Sequence, residues 1–544
     1  MKKILVFLLV VGLVFSLACC QKTETKPQPK PQRQDREKKK ELADTGAMQM
    51  AEETDGAKMY YKAPAGPPPQ AEPAPLDYNR EGYDKIDENP FLPVIGNALS
   101  TFSIDVDTAS YANMRRFLNN SNMPPKDAVR IEELVNYFNY QYDEPEDAHP
   151  FSLALELAGC PWNSKHQLLR IALKGKDIDT SELPPANLVF LLDVSGSMNA
   201  ANKLPLLKKA FKILVEGLRP QDRVAMVVYA GAAGVVLDST PGNEKQTIVN
   251  ALDRLNAGGS TAGGAGIALA YKIAQDHLVP KGNNRVILAT DGDFNVGASS
   301  DSELVRMIEE KRESGIFLTI LGFGMGNYQD AKMEKLSNAG NGNYAYIDNI
   351  LEARKVLGQQ MWGTLYAIAK DVKIQVEFNP AQVKAYRLIG YENRMLAKED
   401  FADDKKDAGE IGAGHRVTAF YELIPAGSDE EVPGSSELKY QETTLKDSRD
   451  LLTVRLRYKP LESDKSLLIE EAVSAGDVSK EEPSADFRFA SAVAEFGLLL
   501  RDSPHKGQAD YAAVLKRAQA TKGDDPSGYR AEFIRLVQIA DSLK

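Results

Sequence analysis

The middle of the chain alternates between short apolar runs and longer segments whose apolar positions fall on one helical face. The run at 188–192 is apolar at every position, which is typical of a strand buried on both faces of a parallel sheet. Alternation of such strands with amphipathic helices predicts a doubly wound, Rossmann-like α/β fold. The predicted strands lie at 187–192, 223–230, 285–290, 316–323 and 344–347, with a short edge strand at 235–237. The predicted helices lie at 204–218, 244–255, 263–278, 301–314 and 328–338, with a last one at 351–369.

On both sides of this region the pattern changes to strands that follow one another directly. Such strands are predicted at 101–107, 151–157 and 168–173 before it, and at 372–378, 383–389, 417–423 and 451–458 after it. Successive strands of this kind indicate an antiparallel β-sandwich. We expect the two groups to form one discontinuous sandwich, into which the α/β unit is inserted. Helices are predicted at 111–117 and 128–138, and three more close the chain at 485–501, 511–520 and 529–543.

The first 90 residues have a different character. Lys2 and Lys3 precede a stretch at 4–17 that is apolar except for Gly12 and Ser16, which indicates an export signal too short to span a membrane. The following segment is rich in proline and poor in apolar residues, which predicts disorder. We therefore expect a lipoprotein signal peptide at 1–19, a disordered tether at 20–90, an N-terminal flanking α+β segment at 91–184, the α/β domain at 185–358 and a C-terminal β-rich domain with closing helices at 359–544.

Composition adds two constraints. The 544 residues are 43% hydrophobic, which is enough for more than one core, and their formal net charge of -11 argues against a nucleic-acid partner. Cys160 is the only cysteine beyond the N-terminal region, so the folded part has no internal disulfide. We expect Cys160 to be a buried apolar residue and not a nucleophile.

Candidate chemistry follows two of the buried strands. The sequence Asp193-Val194-Ser195-Gly196-Ser197 comes directly after the run at 188–192, and Asp291 comes directly after the strand at 285–290. In open α/β sheets, ligands bind beyond the carboxyl ends of the strands. Carboxylates and hydroxyls brought together there form an all-oxygen cluster of the kind that suits Mg²⁺ or Mn²⁺.

The D-x-S-x-S turn resembles the metal-ion-dependent adhesion site of von Willebrand factor type A (VWA) domains. The family's two further pieces follow in its order, as Thr261 in a glycine-rich loop and Asp291. The resemblance implies that the hydroxyls of Ser195, Ser197 and Thr261 touch the metal. It also implies that Asp193 and Asp291 act mostly through bound waters, and that a carboxylate from a protein partner completes the octahedron.

The flanking segments extend the resemblance. The blocks at 105–113, 124–130, 370–380 and 387–392 look like the N- and C-terminal segments of a family of bacterial VWA lipoproteins. The resemblance therefore covers the sequence from about residue 95 to residue 544. Ala18-Cys19-Cys20 resembles a lipobox, with Cys19 as the expected lipidated residue and Cys20 as the alternative. This implies a membrane-anchored protein of the cell envelope, on the outer membrane if the organism has one and otherwise on the outer face of the plasma membrane.

The resemblance implies a protein that is not an enzyme and that captures a partner's Asp or Glu through Mg²⁺ or Mn²⁺. The alternative is a structural envelope-assembly protein in which the metal only orders loops. A third possibility is a vacant site, where the serines merely cap the next helix.

Other chemistries fit less well. A hydrolase nucleophile at Ser195 needs G-x-S-x-G, but Asp193 stands in place of the first glycine, and none of the five histidines falls in these loops. The segment at 104–108 differs from a phosphatase D-x-D-x-T because its threonine comes one place too early. The segment at 291–295 copies the start of an EF-hand loop, but Val296 stands where glycine is required. Asp293 and Asn295 are expected to order the loop.

Overall fold

The computed structural model describes residues 80–544, apart from 105–106, 147, 261–262, 293–300, 435–444, 447 and 480–481. The predicted site residues Cys19 and Thr261, and the loop residues Asp293, Asn295 and Val296, lie outside the described residues. The signal peptide and most of the predicted tether lie outside them as well.

The region before the α/β unit contains short strands and two helices. Its elements are β1 (Leu92–Pro93), β2 (Leu99–Ser103), α1 (Ala109–Asn119), α2 (Ile131–Asn136), β3 (Phe151–Gly159) and β4 (Gln167–Gly175).

The α/β unit alternates strands and helices as the sequence pattern predicts. Its strands are β5 (Ala186–Asp193), β6 (Arg223–Tyr229), β7 (Ala233–Pro241), β8 (Asn283–Thr290), β9 (Ile316–Phe323) and β10 (Tyr344–Ile347). Its helices are α3 (Leu204–Gly217), α4 (Lys245–Asp253), α5 (Gly263–Asp276), α6 (Asp301–Glu313), α7 (Asp330–Ala339) and α8 (Ile350–Arg354).

The remaining elements complete the sandwich and close the chain. They are α9 (Met361–Leu365), β11 (Ala367–Phe378), β12 (Val383–Ile389), β13 (Gly409–Gly412), β14 (Arg416–Pro425), β15 (Asp450–Lys459), β16 (Leu467–Ser474), α10 (Ala475–Val478), α11 (Ala485–Arg501), α12 (Tyr511–Ala520) and α13 (Tyr529–Leu543).

The central sheet has the order β10-β9-β8-β5-β6-β7, in which only β7 pairs antiparallel. Strand β5 lies in the middle and is buried along its whole length. Phe190 and Leu192 pack into a core formed with α3, α4 and α8. Val189 and Leu191 pack on the opposite face with α5, α6 and α7. The predicted doubly wound fold is confirmed, and the carboxyl end of β5 lies where ligands bind in such sheets.

Two antiparallel sheets form the sandwich. One has the order β1-β12-β14-β4-β3, and the other has β13-β11-β15-β16 with β2 pairing to β11. Each sheet therefore combines strands from before and after the α/β unit. Aromatic side chains join the two sheets, with the ring of Phe378 stacked 4.2 Å from that of Tyr386 and Phe151 4.8 Å from Tyr458. The expected discontinuous sandwich is confirmed, since one apolar core contains residues of both groups of strands.

The closing helices pack against the helices that precede the α/β unit. Helix α11 is buried on nearly every face, and Gly497 lies against Ile131 of α2, where an added Cβ would approach the Ile131 Cγ1 to 2.8 Å. Residues of α1, α2, α11, α12 and α13 share one core. The two ends of the described chain thus stabilise each other.

The predicted helix at 351–369 is interrupted and ends too late, since helical structure stops at Leu365. The chain forms α8, then a π-helical turn at Lys355–Gln359, then α9, and residues 367–369 already belong to β11. The reason is tertiary pairing, because Ala367 pairs with Gly412 and Ala369 with Ile411. A Cβ at Gly412 would overlap the carbonyl oxygen of Gly363, so the two backbones meet only because both residues are glycines.

The backbone is already attached to the α/β unit before the predicted start of order at Phe91. The strap, residues 80–83, bonds to the loop after β9. The Arg80 amide donates to the Gly326 carbonyl at 2.7 Å, the Gly82 amide donates to Tyr328 at 3.0 Å, and the Asp330 amide donates to Gly82 at 3.1 Å. Within the described residues, no helix is long and apolar enough to cross a membrane.

Candidate functional site

The turn after β5 places three oxygen-bearing side chains at the carboxyl edge of the sheet. Asp193 is the last residue of β5, and Ser195 has extended backbone and precedes a 3₁₀ turn at Gly196–Asn199. The Ser195 side chain makes no capping hydrogen bond to that turn. Its Oγ lies instead 3.0 Å from the Oγ of Ser197. The interpretation of these serines as mere helix caps is therefore not supported.

Asp193 is completely buried and is held by the turn that follows it and by the two strands on either side of β5. Its Oδ1 accepts a hydrogen bond from the Ser195 amide at 2.8 Å. Its Oδ2 accepts from the Tyr229 hydroxyl at the end of β6 and from the Thr290 hydroxyl at the end of β8, both at 3.2 Å. The carboxylate is thus fixed by contacts that do not depend on any metal.

The pKa of Asp193 is raised to about 6, because burial and the nearby charge of Asp291 outweigh the hydrogen bonds from Ser195 and Tyr229, which lower it. An ionised carboxylate in such a place is poorly solvated. A cation beside it would favour the ionised form.

Asp291 follows β8 and is also completely buried. Its Oδ2 accepts a hydrogen bond from the ammonium group of Lys203 at 2.7 Å. Lys203 precedes α3, and its Nζ also donates to the Asn327 side-chain oxygen at 3.2 Å. The second aspartate of the motif is therefore part of a buried ion pair that the sequence did not predict.

The glycine-rich loop is fastened to the turn by backbone hydrogen bonds. The Gly258 amide donates to the Val194 carbonyl at 2.8 Å, and the Gly196 amide donates to the Gly259 carbonyl at 3.0 Å. Gly259 has a positive φ of 84°, which glycine adopts without strain. Thr261 itself lies outside the described residues, but the loop that leads to it runs beside Ser195 and Ser197.

Gly292 allows a third loop to approach the site. Its φ is 98°, and an added Cβ would lie 2.6 Å from the Gln329 amide nitrogen and 2.8 Å from the Asn327 carbonyl oxygen. The site loop, residues 324–329, is thereby packed directly against the residue that follows Asp291. This contact positions Asn327 beside Lys203.

The donor set fits a small, hard cation. Oxygen ligands about 2.1 Å from Mg²⁺ in an octahedron lie about 3.0 Å from their neighbours, and the two serine hydroxyls have that separation. No three His, Cys, Asp or Glu side chains come together as a metal site in the part of the chain that the structure describes. The candidate ligands are instead mainly neutral hydroxyls, and Ser197 is exposed to solvent at the open side of the site.

Four residues that sequence reasoning missed belong to this site, namely Tyr229, Thr290, Lys203 and Asn327. Tyr229 and Thr290 had a usable signal, since they lie at or next to the carboxyl ends of the strands predicted at 223–230 and 285–290. Lys203 and Asn327 had none, because their contacts arise from tertiary packing of α3 and the site loop.

The competing chemistries gain no support. The partner of Ser195 Oγ is Ser197, and no histidine lies within hydrogen-bond distance of it among the described residues. Cys160 is buried as expected, and burial raises the pKa of its thiol well above the ordinary value.

A mostly parallel sheet with helices on both faces and a D-x-S-x-S turn at its central strand defines a von Willebrand factor type A domain. The family model described as von Willebrand factor type A domain matches residues 187–359. The model described as von Willebrand factor matches residues 77–170, and the one described as Uncharacterized protein YfbK, C-terminal, matches residues 363–543. Domains of this class are in general protein-interaction and adhesion modules, and proteins that carry them are in general not enzymes.

The chain is 44% identical over 474 residues to Uncharacterized protein YfbK of Escherichia coli (strain K12), a match that covers 85% of this chain and 81% of that protein. The chain belongs to this YfbK-like family of bacterial VWA proteins. Uncharacterized protein sll0103 of Synechocystis is 29% identical over 36% of this chain and 45% of its own length. Human inter-alpha-trypsin inhibitor heavy chain H3 is 29% identical over 30% of this chain and 19% of its own length.

Two solved structures cover most of the chain. The von Willebrand factor type A protein from Catenulispora acidiphila covers 71% of this chain and 90% of its own, with 16% identity and a TM-score of 0.40. The ArnB paralog VWA2 from Sulfolobus acidocaldarius covers 73% of this chain and 98% of its own, with 14% identity and a TM-score of 0.35.

Proposed function

We propose that this protein captures a partner protein at the carboxyl edge of its VWA sheet. In this proposal Mg²⁺, or Mn²⁺, is held by Ser195, Ser197 and Thr261 together with Asp193 and Asp291. The ligand is an Asp or Glu carboxylate of the partner. The observation that carries the proposal is the pair of serine hydroxyls 3.0 Å apart, of which Ser195 is buried beside the Asp193 carboxylate and Ser197 is exposed to solvent.

The bound cation supplies a coordination position for the partner's carboxylate. The ligands that the chain provides are mainly neutral, so they donate little negative charge to the cation. Ser195 and Ser197 contribute neutral oxygens, while Asp193 is occupied by donors from Ser195, Tyr229 and Thr290. A site that is poor in direct carboxylate ligands favours an incoming carboxylate.

The overall charge of the protein does not favour an acidic ligand. With a formal net charge of -11, the protein surface offers no general attraction to a partner's carboxylate. A local positive centre is therefore what would give such a partner a reason to bind. We assign no catalytic turnover to this site.

The proposed location is the cell envelope, with a lipid on Cys19 and the Pro-rich segment as a tether. The support is the N-terminal sequence, with Lys2 and Lys3 before the apolar stretch and Ala18 before Cys19. Metabolic labelling with a clickable fatty acid tests it. Labelling lost in Cys19→Ser and retained in Cys20→Ser supports lipidation at Cys19, and the reverse result moves it to Cys20.

The adhesion proposal is tested by cross-linking partners in envelopes of cells that express wild type, Ser197→Ala or Ser527→Ala. Ser197 is an exposed hydroxyl of the site, and Ser527 is an exposed serine in the loop between α12 and α13, so the substitutions are matched in chemistry and in low cost to folding. We expect a partner band in wild type and Ser527→Ala with Mg²⁺ present. The band should be lost in Ser197→Ala, and in wild type treated with EDTA.

A band that is unchanged in Ser197→Ala and in EDTA would refute metal-dependent capture. Partner binding would then be assigned to another surface, such as the sandwich. A band that depends on Mg²⁺ but not on Ser197 would place the metal elsewhere in the protein.

A further inference from the structure

Lys203 brings a positive charge into a site that is proposed to hold a cation. Its Nζ lies 2.7 Å from Oδ2 of Asp291 and 3.2 Å from Oδ1 of Asn327. The side chain is only 9% exposed, and its aspartate partner is fully buried. A buried ammonium group paired in this way is costly to displace, because the aspartate would lose its partner.

The surroundings of Lys203 are built to hold it. The stem of the side chain runs across Gly324, where an added Cβ would lie 2.4 Å from Cε and 2.5 Å from Cγ. Gly324 also has a positive φ of 77°. The absence of a side chain at Gly324 therefore creates the groove through which Lys203 reaches Asp291.

The loop that forms this groove is fixed from outside. The strap donates to the Gly326 carbonyl, and the Gly326 amide donates back to Oε1 of Glu81 at 2.9 Å. Arg116 of α1 holds Glu81 with distances of 2.7 and 2.8 Å. Lys203 is therefore supported by contacts that extend well beyond the metal site.

We propose that Lys203 is a built-in counter-cation that weakens Mg²⁺ binding and makes the loaded site selective for a carboxylate. This inference rests on the proposed function. Asp193 and Asp291 carry two negative charges when ionised, and Lys203 offsets one of them. A divalent cation then leaves the site with one positive charge, which a partner's carboxylate neutralises.

Without Lys203, the loaded site would already be neutral and would gain little from an anionic ligand. The lysine has two roles in consequence. It keeps the two carboxylates together when no metal is bound, and it reserves a positive charge for the partner. Lys203 is a positioning residue in this scheme, since it acts through Asp291.

The test is a Mg²⁺ titration of the full chain by calorimetry, comparing wild type with Lys203→Met and Lys203→Arg. Methionine keeps the length of the stem and removes the charge, while arginine retains the charge. We expect Lys203→Met to bind Mg²⁺ at least about ten-fold more tightly than wild type, because a nearby positive charge has been removed. Lys203→Arg should remain within about three-fold of wild type.

Thermal unfolding supplies a second readout. Without metal, Lys203→Met should unfold at a lower temperature than wild type, because two carboxylates then face each other without a counter-charge. Saturating Mg²⁺ should remove most of that difference. If Lys203→Met does not fold, Lys203→Gln, which keeps a hydrogen-bond donor for Asp291, takes its place in both measurements.

The outcomes separate the two proposals. Equal or weaker Mg²⁺ binding by Lys203→Met, with clear binding by wild type, overturns the role of Lys203 and leaves the adhesion proposal standing. Binding by Lys203→Met but not by wild type shows that the lysine replaces the metal, which overturns both the adhesion proposal and the carboxylate selectivity of a loaded site. Absence of Mg²⁺ binding by both proteins contradicts both proposals.

Discussion

Two clusters of buried charge lie at the carboxyl edge of the VWA sheet, and they are held in different ways. The junction cluster surrounds Arg115 of α1, which is almost completely buried. Arg115 donates to Asp348 just after β10 at 2.8 Å, to Glu352 of α8 at 2.7 Å and to Glu532 of α13 at 2.9 Å. It also donates to the Tyr137 hydroxyl at 2.9 Å. Side-chain ion pairs thus join the VWA domain to helices from both ends of the chain.

The candidate metal site is held mainly through the backbone. Amide-to-carbonyl bonds link Val194 to Tyr229, Gly258 to Val194 and Gly196 to Gly259. Glycines at positive φ let these loops meet. The serine hydroxyls are placed without being consumed by strong protein partners, so they stay available to a ligand. In the junction cluster, by contrast, the charges are consumed in holding the structure together.

The junction cluster and the candidate metal site show that buried charged groups can either stabilise the fold or remain available for a ligand. In the junction cluster a multidentate arginine joins several carboxylates, and the contact is structural. At the candidate site the buried Asp193 lies beside two serine hydroxyls, and this is where a cation is proposed to bind. Three substitutions test this distinction.

The largest effect is expected from Arg115→Met. Three carboxylates would lose their common partner inside the protein, and we expect the free energy of unfolding to fall by about 3–5 kcal/mol. Urea unfolding followed by circular dichroism measures this change. The matched control is Arg535→Met, since Arg535 is 57% exposed and lies 3.9 Å from the same Glu532. An exposed pair of this kind contributes less than about 1 kcal/mol. Equal losses in both variants would mean that the junction cluster is not a structural centre.

A smaller effect is expected from Gly292→Ala. The substitution combines strain at positive φ with contact between the new Cβ and the backbone of the site loop, so we expect a loss of about 3 kcal/mol. Gly315→Ala is the control, because Gly315 has a similar φ of 81° but open space around it. The control should lose about 1 kcal/mol. If the two variants lose the same amount, close backbone packing is not what holds the metal site.

The smallest effect concerns pH and Lys355, which lies beside the junction cluster. The pKa of Lys355 is lowered to about 7, because burial and the neighbouring charge of Arg115 outweigh the opposing charge of Glu352. In the unfolded chain the pKa is about 10.4. Between these values the unfolded chain binds a proton that the folded protein does not, so stability should rise with pH above about 7.

We expect the free energy of unfolding of wild type to rise by about 1 kcal/mol more than that of Lys355→Met between pH 7.5 and 8.5. Urea unfolding at both pH values measures the difference. Lys516→Met, at an exposed position of α12, should keep the wild-type slope. Identical slopes in all three proteins would show that Lys355 keeps its proton inside the fold.

Much of the fold could be predicted because buried strands and helices have a clear periodicity of apolar residues in the sequence. Strand β9 and helices α11, α12 and α13 have the predicted bounds. Strand β16 was missed because Leu467 and Leu468 are both about half exposed, so no alternation marks a buried face. Strand β13 was missed because it has four residues, two of them glycine, and forms only where β11 supplies a partner.

For the candidate site, the sequence predicted which side chains reach the carboxyl edge, since strand ends in a parallel sheet share one edge. The structure brings Asp193, Ser195, Ser197 and the Asp291 region together there. Their role as metal ligands stays a prediction. The pairing of Lys203 with Asp291 could not be predicted, because it depends on Gly324 leaving space for a side chain from another element.

The strap connects the N-terminal segment mechanically to the site loop. The first described residue, Arg80, is bonded to Gly326, two residues from the glycine that cradles Lys203. Any tension transmitted along the preceding segment therefore reaches the folded part at the loop beside the candidate site, before it reaches a strand of the central sheet. The site loop therefore receives any force applied to the N-terminal segment and also sets the geometry around Asp291.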